Sequence, residues 1–500
     1  MGPRRQRINE DDPLTRAIAP PANESQQQRE SRIQAEQDAK RISDAIDEEL
    51  NRQRIADRRS PKPTKILLLG QSESGKSTTL KNFQLMHSPK AFRAEKAYWR
   101  GVIQINIVQS IHAILDLISR AHTTSHSIIA ANQPGPSSLS LNHTPHASHS
   151  SAPSPPPSNN RDYPFITAEH LKLKMRLAPL TQVEAALIRK ILPPGQLGHS
   201  EGFGLHEVCV NSSLGWKGAF HRLLSHGAGN RESCESVDMI DWSDPDDPGV
   251  ILHACAEDMK RLWMDPIIKK LMEVEKMRPE EMAGFFLDDL DRVTSPRYVP
   301  TDDDVLRARI KTLGVSEHRF TVRYGPLGTA MNHDWHVFDV GGHRSLVPLV
   351  AAWAPYFDDM NAIIFLAPIS CFDQVLQEDP SVNRLADSFL LWKTIVSHPL
   401  LKKTDLVLFL NKCDILRAKL ESGIRLGDYI TSYGNRPNDF ESASLYLKKK
   451  FAALMKEHSG DRPFYCHFTS VTDMKSTSLI LQNVQDVIVR DNLKRSALMG

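Results

Sequence analysis

Cysteine is scarce and unevenly placed. Six occur in 500 residues, none before Cys209 and none in a C-x-x-C pair, which argues against a disulfide scaffold or zinc knuckle and for a reducing compartment. A surplus of one charge is also lacking. Sixty-two Lys and Arg face 60 Asp and Glu for a net +2, so no nucleic-acid footprint appears. No apolar run approaches the ~18 residues that cross a bilayer, and no signal-peptide core follows Met1. The expectation is a cytoplasmic, soluble chain. With 40% apolar residues, it is long enough for two or three domains with real cores.

What is present is the run Gly70-Gln71-Ser72-Glu73-Ser74-Gly75-Lys76-Ser77. It follows Ile66-Leu67-Leu68-Leu69, read as a buried strand, and precedes residues 78–86, which lack Gly and Pro and read as a helix. Strand, glycine turn and helix give G-x-x-x-x-G-K-[ST] its meaning as a phosphate site. Backbone N–H groups curl round phosphate oxygens, the helix N-terminus adds positive potential, and Lys76 reaches the β/γ-phosphates. The candidates are Gly70, Glu73, Ser74, Gly75, Lys76, Ser77 and Thr78, with the Ser77 hydroxyl directed to Mg²⁺. A glycine turn that binds nothing is the competing reading.

Organisation follows composition. Residues 1–22 are polar and read as disordered; 23–59 lack Pro and Gly and read as a charged helix with Ile42, Ile46 and Leu50 as a thin apolar stripe. The readings are a solvated helix or a partner-docking helix, the latter favoured because so thin a stripe cannot hold a helix this charged to a core. Residues 60–86 open a sheet domain, and 87–300 form an inserted helical block. Within the block, residues 99–119 read as a helix carrying Ile103, Ile107, Ile111, Ile114 and Ile118, and 168–192, 249–276 and 280–290 are patterned as further helices. Residues 121–160 contain no charged residue, and 22 of the 40 are Ser, Pro or His, so this stretch reads as a low-complexity loop. Residues 193–248 read as a second irregular insertion. The sheet domain resumes over 301–500, with strands expected at 318–324, 334–340, 362–367, 406–410 and 464–468 and helices at 381–398, 440–457 and 479–495. That alternation predicts an α/β fold with a doubly wound, mostly parallel sheet, its ligand at the strands' carboxyl ends.

Asn411-Lys412-Cys413-Asp414 ends one of those strands. A carboxylate there accepts hydrogen bonds from guanine N1–H and the 2-amino group, whereas adenine would leave Asp414 facing a lone pair. Asn411 can support the base edge, the Lys412 stem can lie along the ring, and Val471, in Thr469-Ser470-Val471-Thr472, can offer a backbone N–H to O6. At the phosphate end Asp339 can hold the Mg²⁺ shell through water and the Gly342 N–H can meet a γ-phosphate. The segment Leu306-Arg307-Ala308-Arg309-Ile310-Lys311-Thr312 offers cations for transition-state charge and a hydroxyl for Mg²⁺.

With these pieces in order, the chain resembles the alpha subunits of heterotrimeric G proteins, as a divergent, fungal-type member. The similarity runs from about residue 40 to the end, outside the two insertions. It rests on residues 304–312, on Phe286-Leu287-Asp288-Asp289-Leu290-Asp291-Arg292, on Asp339-Val340-Gly341-Gly342, and on His467-Phe468-Thr469. The resemblance implies a Ras-like P-loop GTPase domain, an all-helical lid and an N-terminal helix, clasping GTP or GDP with Mg²⁺. It implies Arg309 as a built-in arginine finger steadied by Glu73, Thr312 and Ser77 as Mg²⁺ ligands, and Asp289 facing Lys412. Its partners would be a beta-gamma dimer, a receptor at the tail Asp491-Asn492-Leu493-Lys494, and an effector the sequence does not name.

Departures fall on functional positions. His343 stands where the family has a water-orienting glutamine, making it the third catalytic candidate beside Arg309 and Glu73. Ser72 replaces a glycine and crowds the γ-phosphate space. Residues 346–353 are apolar where the family has a basic helix for beta-gamma. Pro3 and Gln6 break the myristoylation pattern, and palmitoylation near the N-terminus is excluded by the absence of cysteine, leaving peripheral membrane attachment through partners at most. Two readings remain: a slow GTPase switch in receptor signalling, or a hydrolysis-deficient GTP-binding module of the same fold. A P-loop kinase or ATPase fits neither Asp414 nor the inserted block.

Overall fold

The computed structural model describes residues 25–59, 63–131, 164–191, 209–211, 240, 242, 244, 247–324, 331–341, 360–376, 379–460 and 462–498. Expectations for residues 1–22, for Gly342 and His343, and for 346–353 lie outside them. The chain divides into two units, Met1–Pro63 and Thr64–Gly500.

In the first unit, α1 (Gln26–Arg59) is a single helix. No Gly or Pro interrupts it, and pairs such as Arg32–Glu36 at 2.7 Å lace its surface. Ile42, Ile46 and Leu50 are all exposed.

The second unit is built on a six-stranded sheet in the order β4-β5-β1-β6-β7-β8. Its members are β1 (Thr64–Leu69), β4 (Val315–Tyr324), β5 (Met331–Val340), β6 (Ala362–Pro368), β7 (Asp405–Asn411) and β8 (Tyr465–Phe468). Only the β4–β5 pair is antiparallel. β6 and β7 are buried along their whole length, which is why they read as continuous apolar runs. α2 (Lys76–His87) and α13 (Met474–Leu498) cover one face around Phe83, Leu481 and Ile488; α10 (Arg384–Ser397) and α12 (Phe440–His458) cover the other around Trp392 and Phe451. The connections that follow β1, β5, β6, β7 and β8 therefore emerge together at the strands' carboxyl ends.

The helical insert packs on α3 (Lys96–Ala131), whose Ile103, Ile107, Ile111, Ile114 and Ile118 are all fully buried. Against it lie α4 (Ala168–Arg176), α5 (Leu180–Ile191), α6 (Pro248–Ala254), α7 (Ala256–Met264) and α8 (Pro266–Val274). By length and composition, α3 over Lys96–Thr123 would pass for a membrane span, yet 72% of its apolar window is buried, as in a core helix.

Four expectations are corrected. α3 continues to Ala131, inside the stretch 121–160 read as a loop, because nothing before Pro134 breaks a helix. The second insertion, 193–248, contributes a strand, β2 (Cys209–Asn211), which pairs in parallel with β3 (Lys311–Leu313). The span 249–276 is three helices rather than one, since Pro266 follows the capping carboxylate of Asp265 and starts a new turn. Residues 280–290 are two short 3-10 turns, Pro279–Glu281 and Leu287–Asp289, interrupted at Gly284, whose φ of 83° is left-handed.

Candidate functional site

A cavity of about 360 Å³ opens where the sheet's carboxyl edge meets the insert. The loop between β1 and α2 forms one wall. Gly70 and Gly75 hold φ of 141° and 105°, and a Cβ on Gly75 would run into the Asn411 amide and the Val471 methyl. Glu73 takes φ 59° although it is not glycine, a strain of the kind concentrated at functional sites.

Lys76 is buried, and its Nζ donates to the carbonyls of Gly70 (2.9 Å) and Gln71 (2.6 Å). Burial pulls this ammonium down to about 8 while Asp339 pushes the other way. Ser77 Oγ donates to Asp339 Oδ2 at 2.6 Å, and burial raises the Asp339 carboxyl against the pull of Lys76. Asp339 Oδ1 is buried with no hydrogen-bond partner. An unsatisfied carboxylate oxygen beside a hydroxyl and a phosphate loop suits Mg²⁺, which keeps several waters and takes one or two carboxylates plus substrate phosphates. Among the described residues no His, Cys, Asp and Glu cluster forms a self-sufficient metal cage.

Arg309 Nη1 sits 2.7 Å from Glu73 Oε1, and Arg384 Nη1 3.5 Å from Glu73 Oε2. Burial alone would raise the Glu73 carboxyl; Arg309, then Lys412 and Arg384, outweigh it and hold it at about 2. Upstream, α9 (Asp302–Arg307) starts at a Thr301/Asp304 capping box. Asp304 is fully buried and accepts from Arg292 (2.6 and 2.8 Å), Tyr298 (2.9 Å) and Arg307 (3.1 Å). Burial raises its carboxyl, but hydrogen bonds from Arg292, Thr301 and Tyr298 outweigh it and keep the group far below the usual range, so the segment leading to Arg309 is anchored.

At the other end, Lys412 turns the chain in a left-handed conformation, φ 62°, between β7 and α11 (Cys413–Glu421), and Asp414 in the first turn of α11 lines the cavity. Burial lowers the Lys412 ammonium while Glu73 supports it. Asn411 is fully buried: Nδ2 donates to Ser74 O (2.7 Å), while Oδ1 accepts from Thr469 Oγ1 (3.0 Å) and Val471 N (3.2 Å). It braces three loops together, where an edge contact to the base was expected. Thr78, Leu306, Arg307 and Val471 also line the cavity; Gly70 does not, though its carbonyl accepts from Lys76, and Thr312 lies in β3 opposite Val210.

One expected pair is absent. Asp289 does not meet Lys412; it binds Arg307 at 3.0 Å and Arg292 at 3.2 Å, cations near it in sequence. The insert's acid at the domain seam is Glu281. It meets Lys419 (2.6 Å) and Arg278 (3.0 Å), with Asp373 completing the cluster at 2.5 Å from Lys419 and 2.8 Å from Arg278. Sequence reasoning missed Glu281, Lys419, Lys81 and Asn106. For Asn106 a signal existed: an amide flanked by Ile105 and Ile107 and, one turn away, Ile103 and Ser110 on α3.

The family model for the G-protein alpha subunit matches residues 40–488. The chain is 30% identical to a guanine nucleotide-binding protein alpha-4 subunit of Mycosarcoma maydis, covering 99% of this chain and 97% of that protein. It is 28% identical to a guanine nucleotide-binding protein subunit alpha of Candida albicans, over 92% and 95% of the two chains. An alpha-2 subunit of Neurospora crassa is 27% identical over 90% and 95%.

Proposed function

The chain belongs to the G-protein alpha-subunit family, the signalling switches of heterotrimeric G proteins, and we propose that its cavity holds GTP or GDP with Mg²⁺ and turns GTP over slowly. The carrying observation is one cavity lined at one end by the phosphate loop with Glu73 and Arg309, and at the other by Asp414. Members of the family are GTPases that bind guanine nucleotide with Mg²⁺, and receptors and beta-gamma dimers are their general partners.

In this reading Lys76 leaves the carbonyls of Gly70 and Gln71 for the β- and γ-phosphates, and Asp414 takes the guanine N1–H and 2-amino protons. Ser77 and Asp339, with Thr312 from β3, would hold Mg²⁺, and the ion, when bound, would supply positive charge against the phosphates. Arg309 leaves Glu73 partly or wholly to meet charge on the γ-phosphate. His343 must place the attacking water with an imidazole, shorter and more rigid than a primary amide, while Ser72 narrows the same space. If each change costs about 1.4 kcal/mol of transition-state stabilisation, turnover falls roughly a hundredfold with binding nearly intact. The apolar stretch 346–353 supports an altered contact with beta-gamma.

The test follows GTP binding and phosphate release together in single turnover. Tight binding with slow release is expected, and the double variant Ser72→Gly with His343→Gln should be faster. Release at the family's usual rate of roughly 10⁻² s⁻¹, or a double variant no faster than the parent, would sink the slow-turnover part.

A further inference from the structure

We propose that Asn106, on the helical insert, is the positioning residue for Arg309, fixing the backbone from which the guanidinium reaches the reacting phosphate. The proposal rests on the reading of Arg309 as the group that meets transition-state charge. Asn106 is 6% exposed and lies on α3 among buried isoleucines. A primary amide in such a place is costly unless both its ends are bonded. Both are, and to a single residue: Oδ1 accepts from the Arg309 N–H at 2.8 Å, and Nδ2 donates to the Arg309 carbonyl at 2.9 Å.

That pattern has a geometric meaning. A residue points its N–H and C=O to the same side only when its backbone is extended, which is how paired residues exchange two hydrogen bonds across an antiparallel ladder. The Asn106 amide therefore replaces a strand partner for one residue and restricts the φ and ψ of Arg309.

The two preceding residues are held as well. Gly284 N–H, from the insert, donates to the Arg307 carbonyl at 3.1 Å. Lys81 Nζ, from α2 and lying 4.0 Å over the Trp99 ring, donates to the carbonyls of Val305 (2.8 Å) and Ala308 (2.7 Å). A Cβ on Gly284 would come within 2.9 Å of the Asn106 amide and 3.1 Å of Arg309 Cβ, so glycine is what lets the insert approach this closely. Arg307, Ala308 and Arg309 are each tied by a different external group, two from the insert and one from the phosphate-loop helix. With the backbone fixed, only the side chain's own rotations carry Arg309 from its place beside Glu73 to the reacting phosphate. Misplacing a catalytic group by about 1 Å can cost around a hundredfold in rate.

A double-mutant cycle in the full chain distinguishes placement from mere adhesion. Asn106→Leu keeps the shape and removes both hydrogen bonds; Asn106→Gln keeps the amide but shifts it by a methylene, and serves if the leucine variant does not fold. GDP affinity is measured first, then the single-turnover rate of GTP hydrolysis, each in the parent and in Arg309→Ala. The expected result is GDP affinity within about threefold of the parent and a rate roughly thirtyfold lower with Arg309 present. With Arg309→Ala already made, the Asn106 change should cost less than about twofold, because no guanidinium is left to place. An equal loss in both backgrounds overturns the proposal, as does no loss in the parent. A parent no faster than Arg309→Ala overturns it too. A parent that binds no guanine nucleotide instead defeats the functional reading on which the proposal stands.

Discussion

The sheet domain and the helical insert reach the same cavity by opposite means. The sheet side contributes chemistry: Lys76, Asp339 and Asp414 follow or end parallel strands and face the cavity with formal charge. The insert contributes placement through an amide on Arg309, a glycine N–H on Arg307 and an acid that closes an ion cluster at the seam. One side can be read as a list of reactive groups; the other acts by holding such groups still. If the comparison is right, changes on the sheet side abolish or redirect binding, and changes on the insert alter rates.

The largest effect should come from Lys76→Ala. In the proposed reading Lys76 supplies the point charge between the β- and γ-phosphates, and removing it should raise the GTP dissociation constant by at least a thousandfold, about 4 kcal/mol. Equilibrium binding of a fluorescent GTP analogue with Mg²⁺ measures this. Retained tight binding would break the sheet half of the comparison.

Next is Asp414→Asn. The amide can no longer accept both guanine protons but can donate to the 2-oxo group of xanthine, so GTP affinity should fall by about a hundredfold while xanthosine triphosphate gains. Competition between the two nucleotides reads the inversion directly. An unchanged preference would remove the base-reading role from this strand end.

The same contrast separates what is legible in the amino-acid sequence from what is not. The phosphate loop is legible, because Gly70 and Gly75 sit at φ values that L side chains rarely adopt and Lys76 must follow at a fixed offset. Asn411 and Asp414 are legible too, because a strand end imposes their spacing, although Asn411 turns out to brace loops. The alternation of strands and helices is also readable, down to β6 and β7. Asp289 shows where such reading stops. It lies in the right region with the right charge, yet Arg292 and Arg307 claim it locally, and the seam's acid is Glu281. No periodicity distinguishes the two carboxylates, since the choice depends on which cations the fold brings beside each. The strand Cys209–Asn211 is hidden for a related reason: three residues in a Gly- and Ser-rich insertion carry no pattern until Lys311–Leu313 offers them an edge.

The smallest predicted effect tests the insert at that seam. Lys419 is 3% exposed, and Glu281 and Asp373 balance it together with Arg278. Glu281→Gln keeps the shape but leaves two cations facing one carboxylate. Breaking a buried pair in this way costs about 3–5 kcal/mol when burial is complete; with Arg278 a third exposed, about 1.5 kcal/mol is a better expectation after solvent screening. That cost falls on the closed arrangement of insert against sheet, because Glu281 lies on one and Lys419 and Asp373 on the other. Bound nucleotide should therefore leave roughly tenfold faster, while guanine preference stays as it was, since Asp414 is untouched. Displacement of a fluorescent GDP analogue gives the rate, and xanthine competition gives the preference. A change in preference without a change in release would reverse the roles assigned to the two regions.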